Sequence, residues 1–410
     1  MYILGLLALF TACSTPSEDT SQTTQQSVLK PGHWIFTYDL NGAEVVQHAS
    51  LNDSLRFTLH NHTENIKLLP TALKGDSLYI EIPVYNTYFQ GLRLDQETIQ
   101  GSWFNPDKSA DYKVDFTARY SEAPRAIPST VDKDYVYAVR FSPDSTSEYP
   151  AVGKFAQTGS YLSGTFLTET GDYRFLEGEI SGDELSLQCF DGSHLFHFSM
   201  QRNEASLEGV FRSGTHWQEP FSGVIDSTAE LRNPFSIITL TKDTVFEFSA
   251  LKLDGEMTTL TTKDFENKVT VIEIFGSWCP NCLDQAHYLK SLQARYAPDQ
   301  LQLIGVAFER SADFETTVNR LNRYRREIGI TFPVFIGGNA SKSEAAKVFH
   351  MLSCVCSFPT TLVIDQSGSI SLMHTGFNGP STGRPYEYFK KTFEAHLDSL
   401  IQSPPKLTSR

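Results

Sequence analysis

Cysteine carries the most chemistry in this chain, and its six copies stand at positions 13, 189, 279, 282, 354 and 356. Cys279 and Cys282 frame the run Cys279-Pro280-Asn281-Cys282. Side chains three positions apart on a helix share a face, so two thiols at this spacing suit either reversible disulfide formation or zinc ligation. Zinc would want a second pair of Cys or His ligands. The only other close pair is Cys354 and Cys356, in CxC spacing. A CxxC that opens a helix directly behind an apolar strand, with a proline some eighty residues later, instead favours redox chemistry.

The flanking pattern supplies that setting. Val269 to Phe275 is a β-branched run fit for a central strand, and Leu283 to Arg295 has helical character. A helix starting near Pro280 aims unpaired N–H groups and the positive end of its dipole at Cys279, which favours the thiolate that attacks. Pro280 falls at the first helical position, where its missing N–H costs nothing. Cys282, one turn further in, becomes the resolving thiol. Resolution needs a proton acceptor, and Glu273 stands in the middle of the apolar strand, where an unpaired carboxylate is costly and its pKa should rise. The alternative is a strand-face glutamate that reaches solvent or pairs with a lysine.

Further elements complete an alternating pattern. Strand-like runs lie at Leu301 to Phe308, Phe332 to Ile336, Thr360 to Ile364 and Ser369 to His374, with helical stretches at Asp313 to Ile328, Lys342 to Met351 and Tyr386 to Ile401. Strands alternating with helices indicate an α/β sheet with parallel strands, closed by an antiparallel hairpin. This order, Trp278-Cys279-Pro280-Asn281-Cys282 at a strand-to-helix junction and Phe358-Pro359-Thr360-Thr361 before a strand resemble the thioredoxin superfamily, and within it the TlpA/ResA-like branch of membrane-tethered disulfide reductases. The resemblance implies that Pro359 is a cis-proline whose loop faces the CxxC, that Trp278 covers the disulfide, and that Glu273 matches a buried proton-relaying acid. That branch often places a glutamate three residues after the second cysteine, where this chain has Gln285. A peroxiredoxin is disfavoured, because that family's threonine three residues before its reactive cysteine is here Gly276.

Cys354 and Cys356 belong to the loop before Pro359. They could relay electrons or form a second disulfide; two small buried thiols are the favoured expectation, since free cysteine often acts as a small hydrophobe. The segment from His374 to Pro380 reads as a shaped loop beside the redox site, with His374 structural, and the basic run from Arg320 to Arg326 reads as a solvated helix face.

Between Trp34 and about Asp226 short alternating runs are broken by Gly, Asn, Asp, Pro and Ser, the pattern of antiparallel β structure. Two runs recur. Gly75-Asp76-Ser77-Leu78-Tyr79-Ile80 matches Gly182-Asp183-Glu184-Leu185-Ser186-Leu187, and Ile99-Gln100-Gly101 answers Leu207-Glu208-Gly209. This suggests two related β modules, as two small barrels or one larger sheet system. Cys189 shares a strand face with Leu185 and Leu187 and is expected to be a buried, unreactive thiol.

The N-terminus sets the compartment. Tyr2 to Phe10 is an apolar run too short to span a bilayer as a helix, and Thr11-Ala12-Cys13 follows at once. This resembles a bacterial lipoprotein signal peptide, which implies a lipidated Cys13 and a membrane tether facing the periplasm; the alternative is an ordinary secretory signal. Ser14 to Ser27 has nothing to bury and reads as a tether. The net charge of −14 argues against a nucleic-acid partner. The expected organisation is thus a signal peptide (1–12), a flexible tether (13–28), β modules at 29–125 and 126–235, a thioredoxin-like domain (243–402) and a disordered tail (403–410). The expected function is exported, membrane-tethered thiol-disulfide exchange in the reductive direction through Cys279 and Cys282, with protein thiols and disulfides and a membrane-bound electron donor as partners and no cofactor beyond the redox-active disulfide. The competing class is an adaptor lipoprotein whose β region recognises a partner.

Overall fold

The computed structural model describes residues 29–241 and 246–403. The expected signal peptide, Cys13, the expected tether, residues 243–245 of the C-terminal domain and the expected tail from 404 lie outside the described residues. Among the described residues no helix is long and apolar enough to cross a membrane.

The first β module is a nine-stranded antiparallel meander from Gly32–Asp39 to Lys113–Ser121. Its first and last strands pair with each other, and the sheet stays open between Glu64–Lys67 and Ala72–Lys74. The second runs from Lys133–Phe141 to Trp217–Ile225 and closes completely. Eight strands pair in sequence, the last returns to the first, and a two-residue strand at Gly171–Asp172 hangs from Tyr161–Thr168. Closure leaves the second module without a free edge.

The repeated motifs sit at equivalent places in the two meanders, for a physical reason. Gly75 and Gly182 both have φ +62° in the tight turn that leads into the motif strand, a conformation that costs a residue with a Cβ about 1–2 kcal/mol. Gly101 and Gly209 lie where neighbouring backbones approach closely: a Cβ on Gly101 would come within 2.3 Å of the Gln90 carbonyl oxygen, and one on Gly209 within 2.5 Å of that of Ser199.

The modules are not independent. The turn after the strand Glu184–Phe190 of the closed barrel inserts into the core of the open module. Phe190 packs edge-on against Trp103 (ring centroids 5.1 Å apart) and stacks with Tyr38, while Asn61 and Phe190 exchange two hydrogen bonds, side chain to backbone. Cys189 beside it is buried and free, and burial raises its thiol pKa well above normal, as its strand face indicated.

The C-terminal domain is a seven-stranded sheet flanked by helices. The strand Val269–Phe275, buried along its whole length, runs parallel to Leu301–Glu309 and antiparallel to Thr360–Ile364. Helices α1 (Pro280–Arg295), α2 (Phe314–Ile328), α3 (Lys342–Val348) and α4 (Arg384–Gln402) complete it. Two differences from the sequence reading stand out. A hairpin at Glu247–Leu251 and Met257–Thr261, absent from that reading, extends the sheet at the far edge; its residues alternate only over short polar runs. Helix α3 ends at Val348 instead of Met351, and the chain beyond it bridges Leu352 to Leu240 in the connection from the barrel.

The basic run of α2 corrects a further expectation. Arg320 pairs with Asp107 at 2.8 Å, and Arg323 donates to the Ile82 carbonyl oxygen and pairs with Glu81. These arginines dock the helix on the first β module, because the module covers that face.

Gly101→Ala should lower stability by about 1–3 kcal/mol through backbone overpacking, whereas Gly75→Ala, with open space around its Cβ, should cost only the positive φ. Urea unfolding midpoints of the two variants measure this ranking.

Candidate active site

Cys279 is the N-cap of α1 and Pro280 its first residue, so the strand Val269–Phe275 delivers the cysteine to the open end of the helix. Its Sγ accepts the Cys282 backbone N–H at 3.3 Å, which occupies one otherwise unpaired helical donor. The same sulfur donates to the Phe358 carbonyl oxygen at 3.5 Å. Phe358-Pro359 is a cis peptide, so the loop facing the CxxC is the one that the resemblance indicated. Both cysteines are reduced; Cys279 retains 6% of its exposure and Cys282 none. Burial, then the neighbouring Cys279 and Glu273, push the Cys282 thiol well up.

Glu273 is fully enclosed, and its Oε1 has no hydrogen-bond partner. Burial first, and then Cys279, push its carboxyl well above the usual range. Neither the solvent-reaching nor the lysine-paired alternative holds. Gln285, one turn into α1, is also fully buried and donates from Nε2 to the Thr361 hydroxyl at 2.8 Å. Thr361 is the cross-strand partner of Glu273. The amide thus sits beside the buried acid without supplying a second titrating group.

Trp278 is anchored by its indole N–H to the Phe308 carbonyl oxygen at 2.9 Å and packs edge-on against Phe358. Arg310 lies 4.6 Å over its ring. Just before it, the Ser277 backbone and hydroxyl both donate to Glu309, whose burial pushes its carboxyl up to about 7 against those two bonds. Glu309 ends the strand beside Val269–Phe275, and its place at a strand terminus was the one available signal for it.

Cys354 and Cys356 form a disulfide with Cα atoms 5.2 Å apart, which overturns the expectation of two small buried thiols. Both are half-buried, and the residue between them points into the core, so the two sulfurs emerge on one side. A ring this small removes little chain entropy, less than the ~3 kcal/mol of a 15-residue loop. Ser353, just before it, is tied in both directions to Thr239 in the connection from the barrel. His374 is buried between Phe235 and Phe389, which lowers its pKa to about 3, in keeping with a structural role. The loop after it bonds to the cis-proline loop through Gly376 N–H and the Pro359 carbonyl oxygen.

The closed barrel completes the site, a contribution the sequence reading missed. Arg174, at φ +61°, donates to the Pro280 carbonyl oxygen at 3.2 Å and to Asp284 at 2.8 Å, and pairs with Glu64 of the first module. Asp172 accepts from Gly379 N–H and the Ser381 hydroxyl. Ser193 reaches the Trp278 carbonyl oxygen at 3.4 Å. Among the described residues no group of three or more His, Cys, Asp or Glu is placed to hold a metal.

The strand order, the CxxC at the helix start and the cis-proline opposite it define the C-terminal part as a thioredoxin-like domain. Its sequence matches the AhpC/TSA family over residues 241–373. It is similar to "Thioredoxin-like protein YneN" of Bacillus subtilis, 26% identical over 130 residues that make up 32% of this chain and 68% of that one. It is likewise similar to "Thiol-disulfide oxidoreductase ResA" of Halalkalibacterium halodurans, 27% identical over 30% of this chain and 62% of the relative. The chain thus spans about two thirds of the length of these relatives. Among solved structures, a thiol-disulfide isomerase from Corynebacterium glutamicum aligns with 40% of this chain and 99% of its own at 20% identity and a TM-score of 0.30.

Two outcomes follow from the geometry. Thiol trapping of the native protein with mass readout should find Cys354 bonded to Cys356, and Cys189 labelled only after denaturation. Because Glu273 holds its proton in the folded state to a pH where the unfolded chain, with a value near 4.3, is ionised, the wild type loses stability as pH rises above about 4.3 toward the folded value. Glu273→Leu lacks that loss, so its stability relative to wild type should be greater at pH 8 than at pH 4; a pH-independent difference in urea unfolding would contradict the assignment.

Proposed function

We propose that this chain is an exported, membrane-tethered thiol-disulfide oxidoreductase that reduces protein disulfides through Cys279 and Cys282. The observation that carries this reading is the free Cys279 at the start of α1, facing the cis-proline loop, with Cys282 and the enclosed Glu273 directly behind it. The tether rests on the apolar run ending at Cys13, which would place the enzyme on the periplasmic side of an envelope membrane.

The reaction runs in two exchanges. The Cys279 thiolate attacks one sulfur of the substrate disulfide, that S–S bond breaks, and the departing thiolate takes up a proton. The substrate's other sulfur is then held in a mixed disulfide with Cys279. Glu273, when ionised, takes the Cys282 proton, and Cys282 attacks the Cys279 sulfur, forming the Cys279–Cys282 disulfide while the second substrate sulfur leaves as a thiolate that takes up a proton. Two electrons pass from the dithiol to the substrate, and an external dithiol donor must restore the enzyme. The dipeptide Pro280-Asn281 adds no cationic side chain to stabilise a thiolate, which supports a reducing poise.

The adaptor reading draws support from the extensive docking of both β modules on this domain, which a platform would also need. An insulin-reduction assay separates the two: wild type should be active, Cys279→Ser inactive, and Cys282→Ser should accumulate a mixed disulfide at Cys279. Glu273→Gln should slow resolution by roughly 10²-fold, the scale of one general base, and flatten the rise of rate with pH. A wild-type protein inactive with every disulfide offered would favour the adaptor, and a potential as oxidising as that of DsbA in a glutathione series would reverse the direction.

A further inference from the structure

Cys279 lines a cleft of about 540 Å³. One wall is the thioredoxin-like domain's own, with Trp278 and Phe358. The opposite wall comes from the closed barrel and presents Tyr149, Tyr173 and Phe196. We propose that this barrel wall is the substrate-recognition surface of the enzyme, and that the cleft takes an extended, unfolded peptide segment with an aromatic residue beside its disulfide-bonded cysteine. The inference rests on the redox reading of Cys279 given above.

Three observations carry it. The barrel wall is set before any substrate arrives: Phe196 stacks on His194 with ring centroids 5.0 Å apart and meets Tyr173 edge-on at 5.3 Å. The Tyr149 hydroxyl is bonded to that of Tyr173 at 3.0 Å and donates to Glu219 at 2.9 Å. Side chains fixed in this way lose little rotamer freedom on binding, and their ring faces and edges suit another aromatic ring.

The width of the cleft is also fixed. Arg174 bonds to the Pro280 carbonyl oxygen and Asp284, and Ser357 donates to the Thr170 carbonyl oxygen. Gly171 lies so close to Asn281 of the CxxC that a Cβ there would stand 1.9 Å from the amide nitrogen. Contact on both sides of the motif keeps the barrel from swinging clear.

The size of the opening then selects the substrate. A cleft of this volume holds about as much as a drug-sized ligand, which is a few residues of extended chain. With 6% of its exposure left, Cys279 is reached through the cleft, so a disulfide set flush in a folded surface is held off by the barrel while a strand of unfolded polypeptide can enter.

The test uses the full chain and four disulfides: bis(2-hydroxyethyl) disulfide, two eight-residue peptides in mixed disulfide with a chromogenic thiol, one with Phe and one with Gly beside the cysteine, and native ribonuclease A. The wild type should favour the Phe peptide over the Gly peptide by at least ~10-fold in kcat/KM and should turn over native ribonuclease far more slowly than either. In Phe196→Ala the preference should collapse toward unity through a raised KM. Equal kcat/KM for the two peptides in the wild type, or native ribonuclease as good as a peptide, would overturn the proposal with the redox reading intact. No turnover even of bis(2-hydroxyethyl) disulfide would overturn both.

Discussion

One buried guanidinium joins the three parts of this protein at the CxxC motif. Arg174 comes from the closed barrel, pairs with Glu64 of the open module, and binds the N-terminal part of α1 through the Pro280 carbonyl oxygen and Asp284. Burial works against its charge, yet the two carboxylates outweigh burial and hold the guanidinium pKa well above normal. Burial in turn pushes Asp284 up to about 7 despite Arg174. Taking such charges out of water is costly, and removing one partner from a buried pair typically costs 3–5 kcal/mol because the other is left uncompensated. The cluster therefore acts as a position-specific latch. It stabilises one placement of the barrel over the helix start, and the shape of the cleft follows from that placement.

The proposed chemistry depends on a second local cost. An enclosed carboxyl without a partner for one of its oxygens is unfavourable in a strand that otherwise carries only packed apolar and hydroxyl side chains. Glu273 is kept at that cost directly behind two thiols of unequal burial, and its enclosure suits it to exchange a proton with Cys282 and not with solvent. Around this pair the scaffold is rigid: Trp278 is anchored to the strand backbone, Ser277 to Glu309, and the cis-proline loop to Gly376 and Thr170. Site geometry held by packing and hydrogen bonds is the condition for repeated exchange at one sulfur.

Much of this was legible locally. The strand Val269–Phe275 and the strand Thr360–Ile364 stand where their β-branched runs place them, and the constellation forms because Cys279, Cys282 and Pro359 lie near strand or helix ends that the pattern marks and Glu273 lies within the strand that leads to the motif. The duplicated glycines pointed to two related β modules, since a tight turn and a close strand approach demand glycine wherever they recur, but they did not show that one module closes and the other stays open. The barrel wall was not legible. Arg174 and Asp284 are 110 residues apart, and a half-exposed Tyr149, Tyr173 or Phe196 reads from sequence as one more strand residue. Cys354 and Cys356 were misjudged because spacing alone does not say whether two sulfurs on one side of a loop bond or merely pack. Arg320 and Arg323 seemed solvated only because the surface they meet belongs to another module.

The central claim is the division of labour between the two thiols, and brief alkylation of the reduced protein with substoichiometric iodoacetamide tests it most directly. Peptide mass mapping should place the label on Cys279, with Cys282 unmodified until the chain is unfolded. Label on Cys282 at a comparable rate in the folded protein would contradict the account, because it would mean that the thiol beside Glu273 is neither shielded nor held protonated.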